Sequence, residues 1–175
     1  MERWAHALKD GRTAVIRRAI EADAEALIRN INEVGAEQDW ILTESLTWDL
    51  RREREWIRGF DDASSILYVA EVDGRVVGQI DAHTSTYPKA RHVASLGIAI
   101  VRAYRGLGIG RLLMERVLTW MRVRGIEKAV LEVFSTNERA IALYRKMGFE
   151  VEGARKRHYK IRGKYVDDVM MAKWL

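Results

Sequence analysis

The chain has 175 residues, nearly half of them apolar and six of them tryptophan, which is material for one folded core and excludes a disordered chain. It contains no cysteine, so disulfides, thiol catalysis and Cys-ligated metals are excluded, and no apolar run approaches the ~20 residues of a membrane span. A net charge of +5 points to anionic partners, and the opening MERWAHALKDGR is too charged for a signal peptide, so a single soluble, cytoplasmic domain over 1–175 is expected.

Residues 12–18, RTAVIRR, read as a first strand. Asp23 is placed to cap a helix with Ala26, Leu27, Ile31 and Val34 on its inner face and Gly35 as its stop. A polar stretch over 36–46, with Trp40, Ile41 and Leu42 embedded, leads to Thr47, the expected cap of a strongly charged helix ending near Arg58. Residues 66–72 and 75–86 form a hairpin about Asp73-Gly74, and Pro88 marks a loop. The run 96–101 is a buried strand in which Gly97 suggests a bulge. After a basic turn, a helix starts at Ile109 with Leu112, Leu113, Val117, Trp120 and Met121 on one face, and Gly125 ends it. Another strand, 128–134, precedes a helix capped by Asn137, with Ala140, Ile141, Tyr144 and Met147 inward and Gly148 as a left-handed cap. The tail, 150–161 and 164–174, turns at Arg162-Gly163. The order β-α-α-β-β-β-α-β-α-β-β is that of a mixed α/β sheet with helices on its faces.

The stretch between the strand at 96–101 and its helix carries the chemistry. Gly106, Gly108 and Gly110 let a ligand approach bare backbone N–H groups, the helix N-terminus favours an anion, and Arg102, Arg105 and Arg111 add positive charge. A phosphate-bearing ligand fits. The turn is not a dinucleotide fingerprint, whose third glycine comes one residue later, nor a Walker loop, which needs Lys-Ser/Thr. A plain Gly-rich connector is the alternative.

The run R-G-L-G-I-G, 105–110, resembles the Q/R-x-x-G-x-G/A pyrophosphate motif of the GNAT N-acetyltransferase superfamily. One strand downstream, Asn137, Ala140, Leu143, Tyr144, Gly148 and Phe149 stand at the spacing of that family's second motif, and the element order is similar from end to end. The closing run with Gly163, Tyr165, Asp168 and Met171 looks like the branch that holds ribosomal-protein, N-terminal and polyamine acetyltransferases.

The resemblance implies a mostly antiparallel sheet with a splayed central strand pair, and acetyl-CoA as donor without a metal. It assigns the pyrophosphate to Arg105, Gly106, Leu107, Gly108, Ile109, Gly110 and Arg111, and the pantetheine to the backbone of Ile98, Ala99, Ile100 and Val101, with Asn137 opposite. It makes Glu132 the general base and Tyr144 the donor to the CoA sulfur. Read without it, Asn137 is a helix cap, Tyr144 a half-buried core residue and Glu132 a strand carboxylate paired with an arginine such as Arg139. A carboxylate in a buried strand is costly unless paired or functional. His83, His92 and His158 are alternative bases outside any motif.

The first helix pair and the final hairpin should wall the acceptor site, which places Glu33, Glu37, Asp39, Trp40, Glu44, Tyr159, Tyr165 and Asp168 there. Acidic and aromatic residues suit an amine, although the same stretch reads equally as a solvated loop. The implied acceptor is a primary amine, on a small molecule or a protein N-terminus, acetylated by direct attack; nucleic acid enters only through a ribosomal target, and a homodimer is compatible with the sequence. The competing reading is a nucleic-acid-binding or regulatory module that uses the basic 155–164 face and keeps a vestigial or sensory CoA site.

Overall fold

A computed structural model describes residues 2–175. These form β1 (Arg3–Ala7), β2 (Thr13–Arg18), α1 (Ala24–Ala36), α2 (Leu50–Arg58), β3 (Ser65–Val72), β4 (Arg75–Thr84), β5 (Val93–Ile100), α3 (Ile109–Val123), β6 (Lys128–Phe134), α4 (Glu138–Lys146), β7 (Glu150–Ile161) and β8 (Lys164–Trp174). One eight-stranded sheet runs in the order β1-β2-β3-β4-β5-β6-β8-β7. Every neighbouring pair is antiparallel except β5 and β6, which are parallel.

The apolar strands are continuous runs because helices cover both faces of the sheet. Along β3, Ile66, Tyr68, Ala70 and Val72 pack with Leu113, Val117 and Met121 of α3 and Tyr144 of α4. Leu67 and Val69, pointing the other way, pack with Leu27 of α1 and Ile57 of α2. So α1 and α2 cover one face, and α3 and α4 the other.

Strand β1 was not foreseen. It is a short, charged edge strand whose register, Trp4↔Ile16, is fixed by packing: Trp4 stacks edge-on against Tyr68 at 6.0 Å and under the Arg116 guanidinium at 3.6 Å. Two helix caps also differ from expectation. The Asp23 carboxylate takes both Arg17 guanidinium contacts at 2.8 Å and the Ile20 N–H, because a buried arginine needs a buried partner more than the helix needs a cap. Asp49 caps α2 in place of Thr47, accepting from the Arg52 N–H at 2.9 Å.

Gly35 is not a stop. It lies inside α1, buried, where an added Cβ would overlap the carbonyl oxygens of Thr43 and Glu44. Ordinarily Gly→Ala in a helix stabilises by about 1 kcal/mol. Here Gly35→Ala should lower stability by roughly 1–3 kcal/mol, since backbone rather than a flexible side chain blocks the methyl group. Chemical denaturation checks the sign: a raised midpoint would show that the 37–46 segment yields freely.

Candidate active site

Strands β5 and β6 pair only at their starts, Val93–Ser95 against Lys128–Val130. Beyond Ser95, β5 stays with β4 as far as Gly78↔Ile100, while β6 follows β8 as far as Phe134↔Asp168. The gap is a cleft of about 780 Å³, lined by Leu96–Ile100 of β5, Leu131–Phe134 of β6, the turn before α3, one face of α4, and Trp40, Ile41 and Leu42. A strand edge that has lost its partner offers unpaired N–H and C=O groups to an extended ligand.

The bulge expected at Gly97 is absent, because the β4–β5 register is unbroken from Thr84↔Ala94 to Gly78↔Ile100. The missing side chain instead makes room for Asp81, whose Oδ1 would lie 3.2 Å from a Cβ at position 97. Ile98, Ala99 and Ile100 line the cleft. Val101 does not; it is fully buried and its N–H is donated to Val77 O at 3.1 Å, so it has none to offer a ligand.

The turn before α3 is built for close approach. Gly106 and Gly108 have φ of 85° and 103°, the left-handed region that a side chain disfavours. Nothing lies within 4 Å of a Cβ built on Gly108, so its face is open. Gly110 serves packing instead: a Cβ there would stand 3.0 Å from Leu143 Cδ2. The N–H groups of the first turn of α3, beginning at Ile109, have no intrahelical acceptor and aim out of the helix end. These residues fit a diphosphate. Arg111 lines the cleft while pairing with Glu115 at 2.7 Å; Leu107 points elsewhere, and its carbonyl accepts the Lys9 N–H at 3.4 Å. Lys9, Arg139 and Lys146 also line the cleft and make this side basic.

The other side is acidic. Glu132, Tyr159 and Asp168 line it, and Asp168 is 1% exposed. Glu132 is not the buried carboxylate that the surrounding apolar run suggests. Its side chain is 52% exposed because the strand splays there, and its partner is Arg155 of β7 at 2.7 Å, not Arg139. The same Arg155 Nη1 also contacts Asp168. Tyr159, its ring tilted against Phe134 at 5.0 Å, has its hydroxyl pKa pushed up by burial and then by the charges of Asp168 and Glu132. Across the gap Tyr144 is 6% exposed and lines the cleft; burial pushes its hydroxyl up to about 12. Asn137 caps α4 through Oδ1, which accepts the Ala140 N–H at 3.1 Å, and faces the cleft as well.

The 37–40 segment is less free than the sequence implies. Glu37 is held by Arg105 at 2.6 and 2.9 Å and by the Trp40 indole N–H at 2.7 Å, and the Arg105 contact holds its carboxyl below the usual range. Asp39 faces Arg162 at 3.4 Å. Trp40 lines the cleft. Tyr165 does not; it is 62% exposed, between Arg157 and Lys160 at 5.9 and 5.6 Å. Glu33 pairs with Arg75, Glu44 is exposed, and neither lines the cleft, nor do His83, His92 and His158. Among the described residues no group of three or more His, Cys, Asp or Glu could hold a metal ion, and no helix is long and apolar enough to cross a membrane.

A model of the acetyltransferase (GNAT) family matches residues 32–149. The L-amino acid N-acetyltransferase AaaT of Escherichia coli (strain K12) is 34% identical over 164 residues, 91% of this chain and 96% of its own. Among solved structures, an acetyltransferase of the GNAT family from Streptococcus pneumoniae superposes with a TM-score of 0.87 at 28% identity, covering 93% of this chain and 99% of that one. The ribosomal-protein-alanine N-acetyltransferase from Brucella melitensis does so with a TM-score of 0.83 at 30% identity, covering 91% and 99%.

Proposed function

The chain belongs to the GNAT acetyltransferase family and is an acetyl-CoA-dependent N-acetyltransferase, and on that premise we propose that its acceptor is an α-amino group, of a free amino acid or of a protein N-terminus. The observation that carries this is the polarity of the cleft: basic around the α3 N-terminus, acidic at Glu132 and Asp168, with the unpaired edge of β5 between. A polyanionic donor and a cationic acceptor each find one end complementary. The relatives from Escherichia coli and Brucella melitensis are named for a free L-amino acid and for an alanine of a ribosomal protein, and an α-amino group is the acceptor common to both descriptions.

Residues 106–111 hold the pyrophosphate through backbone N–H groups, and the free edge of Ile98–Ile100 takes the pantetheine arm. Acetyl-CoA, when bound, supplies an activated acyl carbon and a thiolate leaving group. Glu132 accepts, through water, the proton that the ammonium must lose before its nitrogen can attack. Tyr144 keeps its proton at working pH and presents it to the sulfur as the C–S bond breaks. Trp40, Ile41 and Leu42 close the acceptor side over apolar groups. Acetyl-CoA as the donor suits the cytoplasm.

The test is an acetyl-CoA assay with three arms: L-amino acids, short peptides with free N-termini, and spermidine with Nα-blocked lysine. Turnover in either of the first two arms is expected, and which one identifies the source of the α-amine. Turnover confined to the third arm refutes the proposal.

A further inference from the structure

Arg105 stands at the first position of the glycine turn, yet its guanidinium is not free for a phosphate. Nε donates to Ile100 O at 2.8 Å, and Nη1 and Nη2 hold the two oxygens of Glu37 at 2.9 and 2.6 Å. Both side chains are more than four-fifths buried, 17% and 19% exposed. A bidentate, shielded pair of this kind is a strong and directional contact. From Glu37 the network continues in two directions. Its Oε2 accepts the Trp40 indole N–H at 2.7 Å, and Trp40 lines the cleft. Its backbone carbonyl accepts from Arg162 Nη2 at 2.6 Å, and Arg162 lies at the tip of the β7–β8 hairpin, 3.4 Å from Asp39. One residue therefore joins three segments far apart in sequence: its carboxylate holds the donor's turn and the acceptor's wall, and its backbone carbonyl holds the hairpin tip.

We propose that Glu37 is a positioning residue that couples the two substrate sites: ordering the 105–111 turn around the donor pyrophosphate fixes Arg105, and through Glu37 fixes Trp40 and the hairpin tip for the acceptor. The inference rests on the acetyl-CoA reading above. Two features keep a phosphate from drawing Arg105 away from Glu37. The Ile100 bond anchors the guanidinium at the root of the turn. The bare N–H groups of α3, with Lys9, Arg139 and Arg111, already supply the positive charge. Coupling is thus positive, and by linkage reciprocal: donor raises acceptor affinity and acceptor raises donor affinity by the same factor.

Amide hydrogen exchange with CoA as the only added ligand tests this without knowledge of the acceptor. In the wild-type chain CoA should slow exchange at 106–112, at 37–44 and at 160–165, the last by several-fold although none of 160–165 lines the cleft. In Glu37→Gln, protection should remain at 106–112 and vanish at 160–165, with partial return in Glu37→Asp. Arg162→Ala, an exposed change that leaves the turn intact, should keep protection at 37–44 and lose it at 160–165. With an acceptor in hand, Glu37→Gln should raise the acceptor KM roughly tenfold with kcat little changed, within the usual span of coupling between sites. Protection at 106–112 without any at 160–165 in the wild type overturns the coupling, as does hairpin protection that survives Arg162→Ala. No protection at 106–112 in the wild type overturns the acetyl-CoA reading, and the coupling with it.

Discussion

Gly108→Val is expected to abolish acetyl-CoA binding while the protein remains folded. At φ 103° the residue sits where a β-branched side chain is strained, at about 1–2 kcal/mol. That strain alone is survivable, and no protein atom lies within 4 Å to clash with the new side chain. The damage falls on the ligand. The N–H groups that start α3 have no intrahelical partners, and a charge-assisted hydrogen bond from such a group is worth ~1.5–3 kcal/mol. Keeping a phosphate from even two of them lowers affinity by roughly 10²-fold or more. Gly74, at φ 75° in the β3–β4 turn and equally open around its Cβ, provides the control. Gly74→Val should cost similar stability and leave acetyl-CoA affinity unchanged. Calorimetric titration of both variants separates backbone strain from blocked approach; equal affinity in Gly108→Val and wild type would mean that the pyrophosphate lies elsewhere.

What could be read from the sequence was what local chemistry fixes. Strand β6 and the start of α3 follow from an apolar run and the glycines beside it, strands β7 and β8 from the Arg162-Gly163 turn between them, and the structure places them as expected. The family rested on two spaced motifs, and the donor's turn came with them. What could not be read was set by partners distant in the chain. Strand β1 owes its place to Tyr68 and Arg116, which nothing within 3–7 announces. Glu132 looks buried between Leu131 and Val133 because periodicity cannot show that β5 leaves β6 at that level. Glu37 looks like a free acceptor carboxylate because its partner is 68 residues away. Lys9 and Arg139 line the cleft from segments whose sequence carries no phosphate signal. Resemblance places Tyr159 beside the acceptor; its contact with Phe134 at 5.0 Å, from a strand two neighbours away in the sheet, could not be read.

The pair Glu132 and Tyr144 should carry the chemical step, and their loss is expected to differ in kind. An ammonium has no lone pair for attack, so Glu132→Gln should lower kcat/KM most near neutral pH and recover in part at high pH, as free amine accumulates. The Arg155 contact keeps the Glu132 carboxylate in place at the half-exposed mouth, where a water can stand between it and the amine. Tyr144 acts differently. Its hydroxyl, pushed up to about 12 by burial, is a far weaker acid than an ordinary thiol near 8.5, so outright proton transfer to the sulfur is uphill. Its gain is a hydrogen bond that strengthens as negative charge develops, and the comparable loss of one preorganised donor costs roughly 10²–10³ in kcat. Tyr144→Phe should show that loss with acetyl-CoA affinity little changed.

The same burial has a stability signature. The folded chain resists an ionisation that the unfolded chain undergoes near 10, so the contribution of the neutral hydroxyl is fully present below that pH and is lost as pH rises through about 12. The interval corresponds to roughly 3 kcal/mol. Tyr144→Phe should therefore be less steeply destabilised than wild type between those two pH values, measured by denaturant titration. Near-normal turnover in both single variants would assign the amine's deprotonation and the stabilisation of the leaving thiolate to solvent; an unchanged alkaline slope in Tyr144→Phe would place its hydroxyl in water rather than at the foot of the cleft.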